Sequence, residues 1–374
     1  MINCGIKRFV SCLVPVYACN FRCSYCYVGH HQGAYTHGIK PFFRDAQYIA
    51  DFFSIERMGG PCYFNLCGAG ETLMHPQIVD LVDCLTREGH YTDIITNGVI
   101  TQKFQQIIDR LEAEQKKRLF IKFSFHYEQL VAKKLLERFT QNVHMIRDAG
   151  ISYTVEITPH DELVPFIEEI KAYSMEHFEA LPHITVTRNE ATKAIELMTG
   201  YSREEFKRIW SSFDSDLFDF KFSIFNVKRC EFCYAGDWSI YVNLMTGTYQ
   251  QCYGGDILGS MKDMDKPLNF RAIGKCRQPH CWNGHAFLAY GDIPELSAPT
   301  YADMRDRITA VGSHWLQDQT REFFSTRLKD SNREFSSDEK RKLLVTNRLL
   351  YLPRIVKNAY FYFKKVRAEN ADTK

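Results

Sequence analysis

Three thiols stand close together in the run Cys19-Asn20-Phe21-Arg22-Cys23-Ser24-Tyr25-Cys26. Cysteine thiolates are the usual protein ligands of cubane iron–sulfur clusters. A closed structural metal site uses four protein ligands. Three ligands leave one iron of a four-iron cluster open to a substrate or cofactor. A structural zinc site completed by a distant fourth ligand is the other reading of the same residues.

A second set follows late in the chain. Cys233-x13-Gly247-x4-Cys252 precedes Cys276-x4-Cys281, and Cys230 forms a CxxC pair with Cys233. Cys233, Cys252, Cys276 and Cys281 can close a four-ligand site, with Cys230 as a fifth candidate. Pairs of this kind also build zinc ribbons, so iron and zinc both remain open.

CxxxCx(aromatic)C, with Tyr25 as the aromatic residue, is the signature of the radical S-adenosylmethionine (SAM) family, and the chain resembles that family in three further places. Gly68-Ala69-Gly70-Glu71 resembles its GGE turn, Thr96-Asn97-Gly98 resembles its third-strand end, and Ser124 falls where a fourth strand would finish. The resemblance implies a [4Fe-4S] cluster on Cys19, Cys23 and Cys26. It implies that SAM chelates the fourth iron through its amino and carboxylate groups. One electron then yields a 5′-deoxyadenosyl radical that abstracts hydrogen from an unactivated carbon.

The same resemblance suggests roles for the neighbours. Gly70 is expected to allow close backbone approach to the methionine amino group, and Glu71 to accept a hydrogen bond from that ammonium. Tyr25 would offer adenine a flat face. Ser124 would bond the ribose hydroxyls, and Asn97 would fix its turn or touch SAM. His126 is a candidate for substrate binding or proton transfer, given its near-neutral titration. Ala69 and Thr72 depart from the family pattern, and Val155-Glu156-Ile157-Thr158-Pro159 stands where a fifth-strand glycine motif is usual. Cys233 to Cys252 resembles the opening of the SPASM and twitch auxiliary modules. No cysteine follows Cys281, so the resemblance implies a twitch-like module with one extra [4Fe-4S] cluster.

The elements that must position these residues can be read from hydrophobic periodicity. Apolar β-rich runs at Val10–Val16, Cys62–Cys67, Thr92–Thr96, Phe120–Phe125, Tyr153–Ile157 and His183–Val186 alternate with helical patterns at Pro76–Arg87, Lys103–Lys117, Glu128–Asp148 and Asp161–Phe178. Pro76 suits a first helical turn, and Asp161 suits an N-cap. The fold class is α/β: a partial (β/α)6 barrel, whose chemistry collects at the C-terminal strand ends. The expected divisions are 1–190 for the core, 191–229 for a helical connector, 230–295 for the auxiliary module with a hairpin at Ser239–Val242 and Gly247–Gln251, and 296–374 for a helical basic tail. Ser336-Ser337-Asp338-Glu339 reads as a capping box, and Pro353 should kink or divide the helix that follows.

The chain has 374 residues, 13 of them cysteine, and a formal net charge of +2. That balance points to neither nucleic acid nor an acidic substrate. Cysteines at ligand spacings favour metal chemistry in a reducing compartment, hence the cytoplasm. Cys4, Cys12, Cys62, Cys67 and Cys84 are expected in the core, with one of them able to donate hydrogen to a product radical. No apolar run approaches the ~18 residues that span a bilayer. Lys7-Arg8 before Phe9 to Ala18 imitates a signal peptide, but Pro15 interrupts it. The basic C-terminal helix either covers a domain or touches a membrane surface or partner.

The sequence therefore leads to an oxidoreductase- or epimerase-type enzyme with an electron donor such as flavodoxin or ferredoxin. A sugar or other small polar metabolite is the expected substrate, since the core starts almost at residue 1 and leaves no room for a peptide-recognition domain before it. A peptide or protein side chain is the alternative, and a non-catalytic metal-binding scaffold the remote one.

Overall fold

The computed structural model describes residues 5–30, 35, 37–189, 195–282, 284–351 and 353. Cys4 and the chain beyond Pro353, with most of the expected basic tail, lie outside the described residues, as does any kink after Pro353.

Six parallel strands form the centre, in chain order: β1 (Arg8–Val14), β2 (Cys62–Gly68), β3 (Tyr91–Thr96), β4 (Leu119–Ser124), β5 (Ser152–Ile157) and β6 (His183–Ile184). Helices α1 (Ala46–Phe52), α2 (Ile78–Glu88), α3 (Thr101–Arg110), α4 (Leu136–Asp148) and α5 (Ile167–Phe178) make the crossovers. This is the open barrel that the alternating pattern predicts. Two more helices, α6 (Arg203–Trp210) and α7 (Asp216–Ile224), form the connector.

The sheet does not stop at β1. A hairpin of β7 (Ser239–Asn243) and β8 (Thr248–Gln250), followed by β9 (Ile257–Ser260), adds to its edge, with Phe9 paired to Ser239 in parallel register. The expected hairpin is present, but it continues the barrel sheet. The free edge of β1 is thereby covered, which removes a site of unwanted pairing.

Side chains alternate across each strand. Val10, Cys12, Cys62, Phe64, Leu66, Ile94, Ile121, Phe123, Val155 and Ile157 join the core beneath the helices. The opposite, concave face carries Phe9, Tyr63, Tyr91 and Phe120 in a second, aromatic-rich core with Trp238, Tyr290 and Tyr301. Further along the same face the residues turn polar: Asn65 lies beside Asp93, and Lys122 beside Thr154. The sheet thus has an aromatic base and a polar upper layer that opens at the strand ends.

Some local expectations change. Asp161 does not cap α5. It begins the 3-10 turn Asp161–Phe166, and its carboxylate accepts from Thr199 Oγ1 at 2.5 Å and the Gly200 N–H at 2.6 Å. Pro76 precedes α2, which begins at Ile78. The periodic segment Glu128–Asp148 breaks at Lys134, where φ is +55°, into Tyr127–Ala132 and α4. Residues 296–317 contain turns and no helix, where the tail was expected to be helical. The helix over 337–351 carries the reciprocal Ser336–Glu339 bonds of a capping box. Asn347 docks it by donating to the carbonyls of Ala272 and Ile273, 3.1 Å each.

Candidate active site and auxiliary metal centre

A cavity of about 490 Å³ lies at the C-terminal ends of the central strands. It is lined by Cys19, Cys23 and Cys26, and also by Tyr25, Gly70, Glu71, Asn97, Ser124 and His126. Loops distant in sequence therefore place every candidate of the first site on one surface.

The loop after β1 delivers the cysteines. Cys26 N–H donates to Cys23 O at 3.2 Å, the Tyr35 hydroxyl donates to Cys26 Sγ at 3.3 Å, and Asn97 Nδ2 donates to Asn20 Oδ1 at 2.5 Å. Burial raises the Cys19 thiol, and raises that of Cys23 to about 12, against some opposing contacts. Thiols held this way ionise only when a cation compensates the charge, so metal loading would release their protons.

Gly70 and Glu71 lock the turn after β2. A Cβ on Gly70 would stand 2.0 Å from the Ala18 carbonyl oxygen, so this glycine is needed for the cysteine loop and the β2 turn to touch. Glu71 N–H donates to that same oxygen at 2.9 Å. The Glu71 carboxylate is 2% exposed and accepts from the Leu73 N–H at 2.9 Å, Thr96 Oγ1 at 2.7 Å and the Asn97 N–H at 2.7 Å. Burial pushes its pKa above the usual carboxylate range, in opposition to those three donors. Thr72, the departure from the family pattern, accepts the Gly68 N–H at 3.0 Å and so closes the turn itself.

Tyr25 is only 6% exposed. One ring face stacks on His160 at 3.9 Å, and its hydroxyl meets His126 Nδ1 at 2.7 Å. Burial, with His160 nearby, holds the His126 imidazole down to about 4, so at neutral pH it is an uncharged ring. His160 faces the Thr158 carbonyl through Nδ1 at 3.0 Å and Glu128 through Nε2 at 2.6 Å. Two polar atoms at the cavity stay open: Asn97 Oδ1, buried with no partner, and the Ser124 hydroxyl, which makes no hydrogen bond among the described residues.

Cysteines separate by strand parity. Cys12, Cys62 and Cys84 pack in the outer core as expected. Cys67 does not: it shares the concave face with Tyr63 and Asn65 and lines the cavity. Its thiol is pushed up to about 11 by burial. Lys122, Arg188 and Lys221 also line this cavity and were not singled out from the sequence. Lys122 had a visible signal, a cation in the middle of the apolar strand Leu119–Ser124. It pairs with Asp93 at 2.8 Å, both side chains at most 6% exposed.

The second cysteine set also converges. Cys233, Cys252, Cys276 and Cys281 line one smaller cavity, together with Asp292, and Cys230 is exposed and outside it. The two-stranded ribbon of Phe232–Cys233 with Gly274–Lys275 sets Cys233 opposite Gly274, two residues before Cys276. Burial raises the Cys233 thiol strongly and Cys252 to about 12. Tyr253 and Trp282 line both cavities, so the two centres adjoin. Among the described residues, the one trio of His, Cys or carboxylate ligand atoms within 4.8 Å of one another is Glu128, His160 and Glu162. Neither cysteine set is drawn in to the ~3.8 Å sulfur spacing that a tetrahedral zinc ion with Zn–S of ~2.3 Å imposes.

The residues of the first site lie within a segment that matches a known family. Residues 13–171 match the radical SAM superfamily family model. The chain carries a radical SAM domain, on the mixed α/β fold with a parallel β1–β6 sheet. Solved structures that resemble it include Streptococcus suis SuiB bound to S-adenosylmethionine, at 12% identity and a TM-score of 0.48 over 69% of this chain and 65% of that one. SuiB bound to precursor peptide SuiA gives 11%, 0.47, 71% and 64%. Native anSMEcpe with bound AdoMet and the Cp18Cys peptide gives 12% and 0.47 over 91% of this chain and 99% of that one. The chain thus spans about 65% of the length of SuiB. No curated protein matches. No helix among the described residues is long and apolar enough to cross a membrane.

Proposed function

We propose that this chain is a radical SAM enzyme that abstracts hydrogen from a sugar or other small polar metabolite and oxidises or epimerises it. The observation that carries the reading is the single cavity that brings together three half-buried thiols, the orphaned Asn97 Oδ1 and the Ser124 hydroxyl. The donor set fits the cofactors: Cys19, Cys23 and Cys26 would hold a [4Fe-4S] cluster, and Asn97 and Ser124 offer polar atoms to SAM. Bound there, cluster and cofactor supply one-electron cleavage to a 5′-deoxyadenosyl radical. The chain does the rest. Glu71 fixes the turn, Gly70 lets two loops meet, and His126 is an uncharged group that can take or give a proton through Nε2. A cavity of about 490 Å³ falls in the size range of small-ligand sites.

Cys233, Cys252, Cys276 and Cys281 line one cavity and would hold a second [4Fe-4S] cluster. Its cavity adjoins the first through Tyr253 and Trp282, so a cluster held there would serve as the electron acceptor that dehydrogenation requires. An epimerisation would use Cys67 instead, as the non-ligand thiol that lines the cavity. A flavodoxin or ferredoxin would supply the reducing electron.

The test is anaerobic turnover of the reconstituted, reduced protein in deuterated water, with product sought in fractionated host extract. Product two hydrogens lighter, made without deuterium uptake, supports dehydrogenation. Carbon-bound deuterium that disappears in Cys67→Ala supports epimerisation. Stimulation by the macromolecular fraction alone overturns the small-molecule reading in favour of a peptide or protein target.

A further inference from the structure

Lys221 is a cavity residue with no role so far. It sits on α7, the connector helix, and its neighbours on that helix pack elsewhere: Leu217 and Phe220 in the aromatic core, Phe218 and Phe222 in the outer one. Lys221 itself lines the cavity. No acceptor lies within hydrogen-bond reach of its Nζ and no carboxylate within ion-pair reach, among the described residues.

The surroundings make that amine more than a stray surface lysine. The charged groups that act on it are Arg188, Arg305, Glu156 and Lys122. Glu156 is already engaged by Arg305, and Lys122 by Asp93. Burial, then Arg188 and Arg305, hold Lys221 down to about 7. The other side of the charge balance is thin. Glu71 is the one carboxylate among the cavity-lining residues, and three protein donors occupy it. A desolvated cation gains most from an anion that enters with the ligand, and a wall of one sign raises the local concentration of such ligands.

We propose that the substrate carries a carboxylate or phosphate group and that Lys221 receives it. The inference rests on the cavity being the SAM and substrate site, and it narrows the substrate class from polar to anionic. SAM carries a carboxylate of its own, so the experiment separates the two.

The reconstituted full chain with saturating SAM is titrated calorimetrically with inorganic phosphate and, separately, with glutarate. The proposal expects one of them to bind, at least tenfold more weakly to Lys221→Met, and within about threefold of wild type to Lys221→Arg. SAM affinity should stay within twofold in both variants. Independently, reductive methylation of the wild-type protein near pH 7, read by peptide mass spectrometry, should label Lys221 and be suppressed by the bound anion. That arm stands even where the methionine variant fails to fold. Equal anion binding to wild type and Lys221→Met, no binding of either anion to wild type, or a loss of SAM affinity in place of anion affinity would each overturn the proposal. Protection of Lys221 by phosphate in a protein that forms no 5′-deoxyadenosine would support the subsite while overturning the radical SAM reading.

Discussion

The Glu71 carboxylate accepts the backbone N–H of Asn97 at 2.7 Å, which ties the turn after β2 to the end of β3. The same carboxylate reaches Leu73 and Thr96. Glu71→Ala leaves three buried donors without an acceptor. An orphaned buried group costs about 1–3 kcal/mol, and these three share one site, so a loss of about 2–4 kcal/mol is expected. Urea unfolding of the two proteins measures it. A change under 1 kcal/mol would mean that the turn does not depend on this residue.

Gly70→Ala should be equally damaging for a different reason. The added methyl would stand 2.0 Å from the Ala18 carbonyl oxygen, so either the cysteine loop or the β2 turn must move. We expect reconstituted iron at the first site to fall and SAM binding with it, while the auxiliary iron stays. Full iron at the first site would show that the two loops are not pressed together.

The cysteine sets should separate cleanly. Cys23→Ala should abolish 5′-deoxyadenosine formation and leave the auxiliary metal in place. Cys252→Ala should lower iron content and spare the first cluster. Elemental analysis with electron paramagnetic resonance distinguishes these outcomes. Zinc lost from Cys252→Ala in place of iron would make the second centre a zinc site.

His90 gives a pH prediction away from both centres. Its Nε2 donates to the Phe53 carbonyl at 2.8 Å and its Nδ1 accepts the Cys62 N–H at 3.1 Å, a neutral tautomer with no room for a second proton. Burial holds it down to about 4. The folded value lies below the unfolded one near 6.5, so its contribution to stability is complete above pH 6.5. It is lost as pH falls from there towards 4, by about 3 kcal/mol in all. Urea midpoints between pH 7 and 4 should fall less steeply in His90→Gln. Parallel slopes would contradict the assignment.

Much of this was legible in the sequence because it depends on local order. Strand runs, the thiol triplet and the turn motifs appear as contiguous patterns, and the six central strands fall where those patterns place them. Strand parity is legible at Cys67 as well: two residues beyond Asn65, it must share the concave face. What could not be read depends on contacts between distant segments. Nothing near Ser239 says that its strand will pair with Phe9. Tyr25 and His160 stack through a meeting of two loops. Lys221 looks like an ordinary solvated helix lysine until α7 is set against the cavity. Asp161 has the composition of a cap, yet Thr199 and Gly200 compete for its carboxylate and win.

The most direct test of the account is 5′-deoxyadenosine formation by the anaerobically reconstituted, dithionite-reduced protein given SAM. The account predicts slow formation by the wild-type chain, stimulated by the small-molecule fraction of host extract, and none by Cys19→Ala. A wild-type protein that takes up iron at Cys19, Cys23 and Cys26 and leaves SAM intact would contradict it.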